Sequence, residues 1–495
     1  MTSGQTAGDT STLTWGSRRA RLTLTATILG SGLAFLDSSV VAVASPRIEA
    51  DLGGGLATVQ WVTNGYLLTL GALVLVGGAL GDLLGKRRIF MIGVAAFGVS
   101  SAMCGLAPTA ELLVVARMIQ GAAAALMVPT SLAILNSTFT GGDRAKAIGA
   151  WSGLAGVFTA IGPFVGGLLV DTSPSGWRWV FLINLPLVVG AIVVARLAVP
   201  NHPGTRTPAP IMSQVDIIGG VLAVLGLGLL LGPLIEIERL PVGLVVGLMA
   251  SGAALLVTLG FVEKRRAVTR TPPPMINLAL FKLRTFSVAN IVTLVVYGSL
   301  SVAFFLVTIV LQQGIGYSAV AAGAAGVPVT IVLATFSAKA GGLLAKIGAR
   351  PMLTIGPMIM AVGMVMLGNI RPGQSYWVLV FPGFVVFAIG LVFVVAPVTA
   401  TALADVGPAE SGTASGINNA VARIGGLLAI ILVPLAGGLA ASQANSLGTG
   451  EAILAGYRTS MLIAAAVCVF GGLLALIAFR SEDGRAPVDP VPSPT

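Results

Sequence analysis

The chain is built of long apolar runs separated by short charged or Pro/Gly-rich breaks. Most runs have about 20 residues, the length that a helix needs to cross the hydrocarbon core of a bilayer. The apolar residues are continuous and do not alternate with a period of two, so the pattern predicts helices rather than barrel strands. We predict fourteen transmembrane helices, at residues 22–46, 59–80, 88–106, 112–135, 146–170, 177–199, 215–235, 241–262, 285–312, 319–344, 351–368, 375–402, 412–436 and 456–479.

Two stretches rich in helix breakers divide these helices into groups. They cover residues 200–214 and 263–284, and two predicted helices lie between them. Six helices precede this region and six follow it, so we predict an all-α membrane protein with two six-helix halves and two extra central helices. The predicted segments are an N-terminal tail, 1–21; a first half, 22–199; a linker with the two extra helices, 200–284; a second half, 285–479; and a C-terminal tail, 480–495.

An internal repeat supports the division into halves. Residues 77–86 resemble residues 341–350, and each segment links the second and third predicted helix of its half. The second copy lacks the acidic residue of the first. Two similar parallel halves are a known transporter plan, in which the substrate site lies near the middle of the membrane between the halves.

The basic residues predict the orientation. With the N-terminus in the cytoplasm, the clusters at 18–21, 86–88 and 264–266 all fall on the cytoplasmic side, and few Lys or Arg fall on the other. This is the distribution of membrane proteins, and the even helix number places both termini in the cytoplasm. The net charge of +10 is therefore explained by membrane loops, and we expect no nucleic-acid partner.

Composition agrees with this interpretation. Apolar residues make up 56% of the chain and charged residues 9%, far from the balance of a soluble protein. The two cysteines, Cys104 and Cys468, lie in separate apolar runs without another Cys or His nearby, so neither a disulfide nor a metal site is predicted. We expect no cofactor and a location in the plasma (inner) membrane of a bacterium.

Asp37 and Arg117 are the first candidates for chemistry. Asp37 lies inside the first predicted helix, where a charge costs about 2.5–3.5 kcal/mol, and Arg117 is the one basic residue deep in the first half. Burial favours a neutral carboxyl and a paired arginine favours a charged one, so the two effects could balance Asp37 for proton exchange. The alternative is a structural role for both residues, as an ion pair or a helix-end contact.

The loop between the second and third helices contains Gly78, Asp82, Gly85, Lys86 and Arg87. Its glycines allow the backbones to approach closely, and Asp82 could meet the positive N-terminus of a helix from the other half and so latch one conformation. The alternative is an ordinary turn whose basic residues only set the orientation.

The fifth helix contains an unusual combination of small residues and proline. Gly162, Pro163, Gly166 and Gly167 form a Gly-Pro-x-x-Gly-Gly sequence. Small residues allow another helix to approach closely, and proline bends the helix.

Together these segments resemble the signature motifs of the major facilitator superfamily, specifically its fourteen-span drug:proton antiporter branch. The resemblance covers residues 20–480, and it also includes the Arg117-x-x-Gln120-Gly121 segment. It implies that Asp37 is a carboxylate for a proton or a substrate cation, that Arg117 is its coupling partner, that Asp82 is a cytoplasmic latch, and that Gly162 with Pro163 is the pivot suited to antiport. Departures from the family pattern are Leu83 in the loop and Ala42 and Ser45 after Asp37.

The expected function is proton-driven export of drugs or other lipophilic or amphiphilic molecules by one chain acting as a monomer in contact with membrane lipids. An endogenous lipid, fatty acid or secondary metabolite is an alternative cargo, and a membrane receptor or scaffold is an alternative function. For Arg423 in the thirteenth helix, a functional role and a side chain that extends to the interface are both open. Candidate substrate-binding residues are Tyr66, Gln120, Met127, Asn290, Tyr297, Phe304, Phe305, Gln312 and Arg423.

Other classes of protein lack their sequence features. The chain has no Gly-x-x-x-x-Gly-Lys-Ser/Thr loop for an ATP-driven pump. Its sole histidine, His202, falls in a proline-rich loop, and paired acids for an intramembrane enzyme are absent from the sequence. We therefore expect a secondary transporter and not an enzyme.

Overall fold

The computed structural model describes residues 13–201, 204, 209–269, 271–406, 410–439 and 449–480, and this part of the chain contains helices, turns and no strand. The α-helices are α1 (Arg18–Leu52), α2 (Gly55–Leu84), α3 (Lys86–Gly105), α4 (Ala110–Thr138), α5 (Gly141–Val170), α6 (Trp177–Leu182), α7 (Asn184–Ala198), α8 (Ile217–Ile235), α9 (Val242–Thr269), α10 (Arg284–Ile309), α11 (Ala319–Ala325), α12 (Val327–Ile347), α13 (Ala349–Gly368), α14 (Val380–Val392), α15 (Val395–Leu403), α16 (Ser411–Ala436) and α17 (Thr449–Ala478). Short 3₁₀ turns occupy Ile211–Ser213 and Leu278–Lys282, and a π turn, Val310–Gly314, extends α10.

Within the described residues, thirteen helical segments are long and apolar enough to cross a membrane. The predicted span at 146–170 lies within α5, and its last part, Ile161–Val170, is a described apolar stretch of helix. The 30 residues of α5 extend for about 45 Å, which is long enough to cross a membrane. The number of fourteen spans thus stays a prediction, while the multi-pass membrane architecture is confirmed.

Several predicted spans are broken helices. The span 319–344 is divided at Gly326 into α11 and α12, and the span 375–402 begins as helix only at Val380 and is divided into α14 and α15. Between α6 and α7, the break lies at Ile183. The first helix is longer than predicted, because α1 continues past Pro46 to Leu52.

The helices form two bundles. One buried cluster consists mostly of residues of α10 to α17, and two others consist mostly of residues of α1 to α7. We call the side of the membrane at which α1 begins the terminal side, and the opposite side the distal side. The bundles meet along α2 and α16 and also where α5 packs against α11. The exact domain boundaries stay predictions.

The extra helices α8 and α9 pack against each other at the edge of the molecule. Helix α8 also contacts α2 of the first bundle and α16 of the second, so it covers the seam between them. Helix α9 is peripheral, because only 17% of its apolar stretch is buried, against 72% for α1. Its exposed apolar side chains, such as Val246 and Phe261, are suited to contact with lipid.

Candidate functional site

A buried polar network in the first bundle surrounds Asp37. The carboxylate forms an ion pair with Arg117. It also accepts hydrogen bonds from the side-chain amides of Gln120, at 2.9 Å, and of Asn184, at 3.2 Å. Asp37 and Arg117 are each only 1% exposed. Burial of both charges requires partners for every polar atom, and the structure supplies most of them from four different helices.

Arg117 is held on several sides. Its Nε donates to the carbonyl oxygen of Val62 at 3.0 Å, and the guanidinium lies over the ring of Tyr66, 4.4 Å from the centroid. A further hydrogen bond joins Arg117 to Gln120 at 2.7 Å. The arginine can therefore keep its position when the charge of Asp37 changes, because its other contacts do not depend on that charge.

Two members of the network, Asn184 and Ser101, were not among the sequence-based candidates. The Asn184 amide donates to Asp37 and to Ser101 Oγ, the second bond at 3.0 Å. Its Oδ1 is buried without a hydrogen-bond partner among the described residues. One sequence feature could have identified Asn184: it is an amide residue at the start of an apolar run, just after the Trp-Arg-Trp segment at 177–179.

The other candidates of the first bundle lie in its packed core. Tyr66 and Met127 belong to one buried hydrophobic cluster with Phe90 and Phe97. Tyr66 contacts Arg117, as described, and Gln120 belongs to the Asp37 network. In this conformation neither Tyr66 nor Met127 is exposed to a space between the bundles.

The candidates on α10 are distributed over its length. Asn290 is buried and accepts a hydrogen bond from the Asn418 amide at 3.2 Å. Phe305 is buried as well, and Phe304 packs against Phe384 and Phe387 of α14. These residues stabilise the second bundle and do not form one continuous wall.

Arg423 lies at the seam between the two bundles. It occupies the middle of α16 and packs closely against α2, because a Cβ added to Gly71 would be 3.1 Å from the Cβ of Arg423. The guanidinium lies 5.8 Å from the centroid of Phe35 on α1. Tyr297 of α10 is partly buried and packs against the hydrophobic core of the second bundle. Arg423 is itself only partly buried and lies at mid-helix near the centre of the molecule.

The Gly-Pro-x-x-Gly-Gly sequence of α5 forms close backbone contacts. A Cβ at Gly162 would meet Ser39 and Leu36 of α1, and a Cβ at Gly166 would meet Val40. At Gly167 the added Cβ would come within 2.5–2.6 Å of the backbone of Ala319 and Val320 on α11. This sequence therefore contacts Asp37's helix on one side and the second bundle on the other.

A second contact closes the distal side next to Gly167. Asp171, which follows α5, accepts hydrogen bonds from the backbone amides of Ala319, at 3.3 Å, and Val320, at 3.0 Å. The predicted substrate residue Gln312 lies in this region too, because its amide donates to the carbonyl oxygen of Val43 at 3.0 Å. Asp171 was not a sequence-based candidate, and its role depends on a partner 148 residues away.

Replacement of Asp171 by asparagine is expected to weaken the distal contact. An ionised carboxylate accepts stronger hydrogen bonds from backbone amides than a neutral amide does. We expect the distal side to open more often by a factor of about 5–10, since such a bond contributes roughly 1 kcal/mol more when charged. Distances between spin labels on Thr172 and Tyr317 measure the open fraction, and an unchanged distribution in Asp171→Asn would contradict the expectation.

On the terminal side, the loop between α2 and α3 has a fixed backbone. Gly85 ends α2 with a φ of 97°, a conformation that favours glycine. Asp82 is 66% exposed and lies 3.7 Å from Lys86. The Arg87 guanidinium donates to the carbonyl oxygen of Arg196 at 2.7 Å. Close approach to α4 involves Gly77 and Gly81, whereas a Cβ at Gly78 would be in ordinary contact with Pro129. The latch role of Asp82 stays a prediction.

Comparison with known proteins gives consistent results. The family model described as Major Facilitator Superfamily matches residues 27–430. The probable actinorhodin transporter of Streptomyces coelicolor is 36% identical over 85% of this chain and 73% of its own length. The tetracenomycin C resistance and export protein of Streptomyces glaucescens is 33% identical over 82% of this chain and 74% of its own. For the puromycin resistance protein of Streptomyces alboniger, the identity is 31% over 92% of both chains.

Solved structures show the same fold. The D-xylose–proton symporter superimposes with a TM-score of 0.64 at 16% identity, over 94% of this chain and 99% of its own. An auto-inhibited peptide transporter of the POT family has a TM-score of 0.66 at 16% identity, over 95% of this chain and 99% of its own. The described part of the chain has thirteen membrane-length helices in two bundles, the family model matches most of the chain, and its relatives are transporters. The chain therefore belongs to the Major Facilitator Superfamily and is a multi-pass membrane transporter.

Proposed function

We propose that this protein exports lipophilic or amphiphilic small molecules from the cell in exchange for protons. The observation that carries the proposal is the buried Asp37–Arg117 pair, because an ionisable carboxylate at this depth is costly and is retained in transporters for proton relay. The relatives support the direction of transport, since they are named for drug resistance or export.

The proton step uses the residues around Asp37. A proton that enters from outside binds a carboxylate oxygen, breaks the charge attraction to Arg117 and creates an O–H donor. The unpartnered Oδ1 of Asn184 is a nearby acceptor that this new donor can use after a rotation of the amide. Release of the proton to the cytoplasm restores the carboxylate, which pairs with Arg117 again. Each cycle thus carries the proton inward without a cofactor.

Movement of Asp37 can be transmitted to the distal contact. Ser39 and Val40 follow Asp37 on α1 and touch Gly162 and Gly166 of α5. Helix α5 in turn meets α11 at Gly167. A small shift of α1 on protonation therefore displaces the element that closes the distal side, and packed interfaces convert such shifts into alternative arrangements. Alternating access would follow, with one chain as the transport unit.

The test measures proton release in proteoliposomes with a pH-sensitive dye inside. A panel of lipophilic cations, anions and neutral amphiphiles is added to vesicles that contain native protein or Asp37→Asn. We expect at least one compound to drive proton movement with native protein, and the substitution to abolish it, because asparagine cannot exchange a proton. Asp405→Asn is the control, since this carboxylate is exposed on the terminal side.

Different results would change the conclusion in different ways. Persistent proton movement in Asp37→Asn would make Asp37 structural and place coupling at another group. Binding without any movement of protons or compounds would favour the receptor or scaffold alternative. Within the transporter class, an endogenous secondary metabolite is the second candidate cargo, because two relatives are named for actinorhodin and tetracenomycin C.

A further inference from the structure

We propose that Arg423 binds an acidic group of the cargo, and that the transported class is therefore aromatic compounds with a carboxylate or phenolate. This inference rests on the proposed export function and specifies its substrate. It departs from the expectation of a lipophilic cation, which would be attracted by Asp37.

Arg423 cannot reach the membrane surface. It is the thirteenth of the 26 residues of α16, so about 18 Å of helix separates it from either end. An extended arginine side chain is far shorter than this distance. Its neighbours also lie at mid-helix, since Gly71 belongs to the middle of α2 and Phe35 to the middle of α1. The guanidinium is thus held between the bundles and not at the lipid headgroups.

No carboxylate balances this charge in the described part of the chain. The ion pairs found there do not include Arg423. Asp37, the acid nearest to the centre, is already paired with Arg117 and receives two amide hydrogen bonds. The Asp37–Arg117 pair is neutral overall, so the centre of the molecule carries one excess positive charge at Arg423. An unpaired charge at this depth is costly, and a bound anion would remove the cost.

The surroundings of Arg423 are suited to a flat aromatic molecule. Phe35 lies next to the guanidinium and makes an edge-to-face contact with Trp151, whose ring centroid is 6.4 Å away. The side chains of Phe35 and Trp151 are only partly buried. A planar guanidinium can bind a carboxylate through two hydrogen bonds while aromatic rings stack beside it. A cationic molecule would be repelled at the same position.

Two dyes with the same xanthene ring system and opposite charge provide the test. Fluorescein is an anionic carboxylate and phenolate at neutral pH, and rhodamine 6G is a cation. Binding to detergent-purified protein is measured by fluorescence polarisation. We expect native protein to prefer fluorescein, and Arg423→Gln to weaken fluorescein binding about tenfold or more because charge-assisted hydrogen bonds are lost, while rhodamine 6G binding is unchanged or stronger.

Control variants separate charge from packing. Arg423→Lys keeps the charge and loses the two-pronged geometry, so it should retain part of the affinity for fluorescein. Arg458→Gln removes an exposed arginine of the same bundle and should have no effect. The proposal would be overturned if Arg423→Gln lost the same affinity for both dyes, or if the glutamine and lysine variants lost the same affinity for fluorescein. It would also be overturned if the native protein preferred rhodamine 6G or did not bind fluorescein.

This binding assay needs no gradient and is independent of the proton assay. If Arg423 selects fluorescein but no compound drives proton movement, the antiport proposal fails and the anion site stands. If protons move through Asp37 but fluorescein binding does not depend on Arg423, antiport stands and the substrate class is different.

Discussion

Replacement of Arg117 by glutamine is expected to destabilise the protein by about 3–5 kcal/mol and to stop transport. The substitution leaves the Asp37 carboxylate buried without its counter-charge, and removal of one member of a buried ion pair typically has a cost of this size. It also removes the hydrogen bond to Val62 and the contact with the ring of Tyr66. The measurement is the temperature at which the purified protein loses its fold, together with proton release from proteoliposomes.

A double substitution distinguishes charge from packing. Asp37→Asn combined with Arg117→Gln leaves no charge in the network, and its amides can still hydrogen-bond Gln120 and Asn184. We expect it to recover most of the lost stability without any proton movement. Arg265→Gln serves as a control, since this arginine is exposed at the terminal end of α9. A stable but active Arg117→Gln protein would show that the ion pair is dispensable for coupling.

Replacement of Gly167 by leucine is expected to hold the distal side open. Any side chain at this position would overlap the backbone of Ala319 and Val320, and backbone cannot rotate away as a side chain can. Overpacking of this kind has a cost of about 1–3 kcal/mol in a closed interface, which corresponds to a shift of about 5–150-fold toward the open state. Export should stop, because a transporter that cannot close its distal side cannot return to collect cargo.

Cysteine accessibility measures this shift. The Gln312→Cys substitution is introduced both into the native protein and into the Gly167→Leu variant, and labelling with a maleimide that cannot cross the membrane is compared between the two. Both native cysteines, Cys104 and Cys468, are buried, so their background reaction is small. Gly190→Leu is the matched control, because a Cβ there would meet open space. Equal labelling with and without the Gly167→Leu substitution would show that α5 and α11 do not form the distal closure.

The sequence by itself determined the class of architecture and the central pair of charges. A membrane helix is recognisable from a local property, the length of an apolar run, so the multi-pass architecture needed no knowledge of packing. Asp37 and Arg117 could be matched across 80 residues because each is the one deep charge of its sign in the first half. A charged residue inside the membrane is costly unless it has a partner, so such residues are rare and can be identified from the sequence.

Only the tertiary structure decided which polar groups contact Asp37 and Arg117, and which of the sequence-based candidates lie next to each other. Asn184 completes the Asp37 network because the break between α6 and α7 places its amide there, 147 residues along the chain from Asp37. Gly167 and Asp171 contact α11 about 150 residues later in the chain, and Arg423 lies beside Phe35 from the opposite end of the sequence. In a bilayer, apolar length specifies that a helix forms, but close packing of small residues and the pairing of rare polar groups specify its neighbours. Those neighbours depend on the folded bundle as a whole.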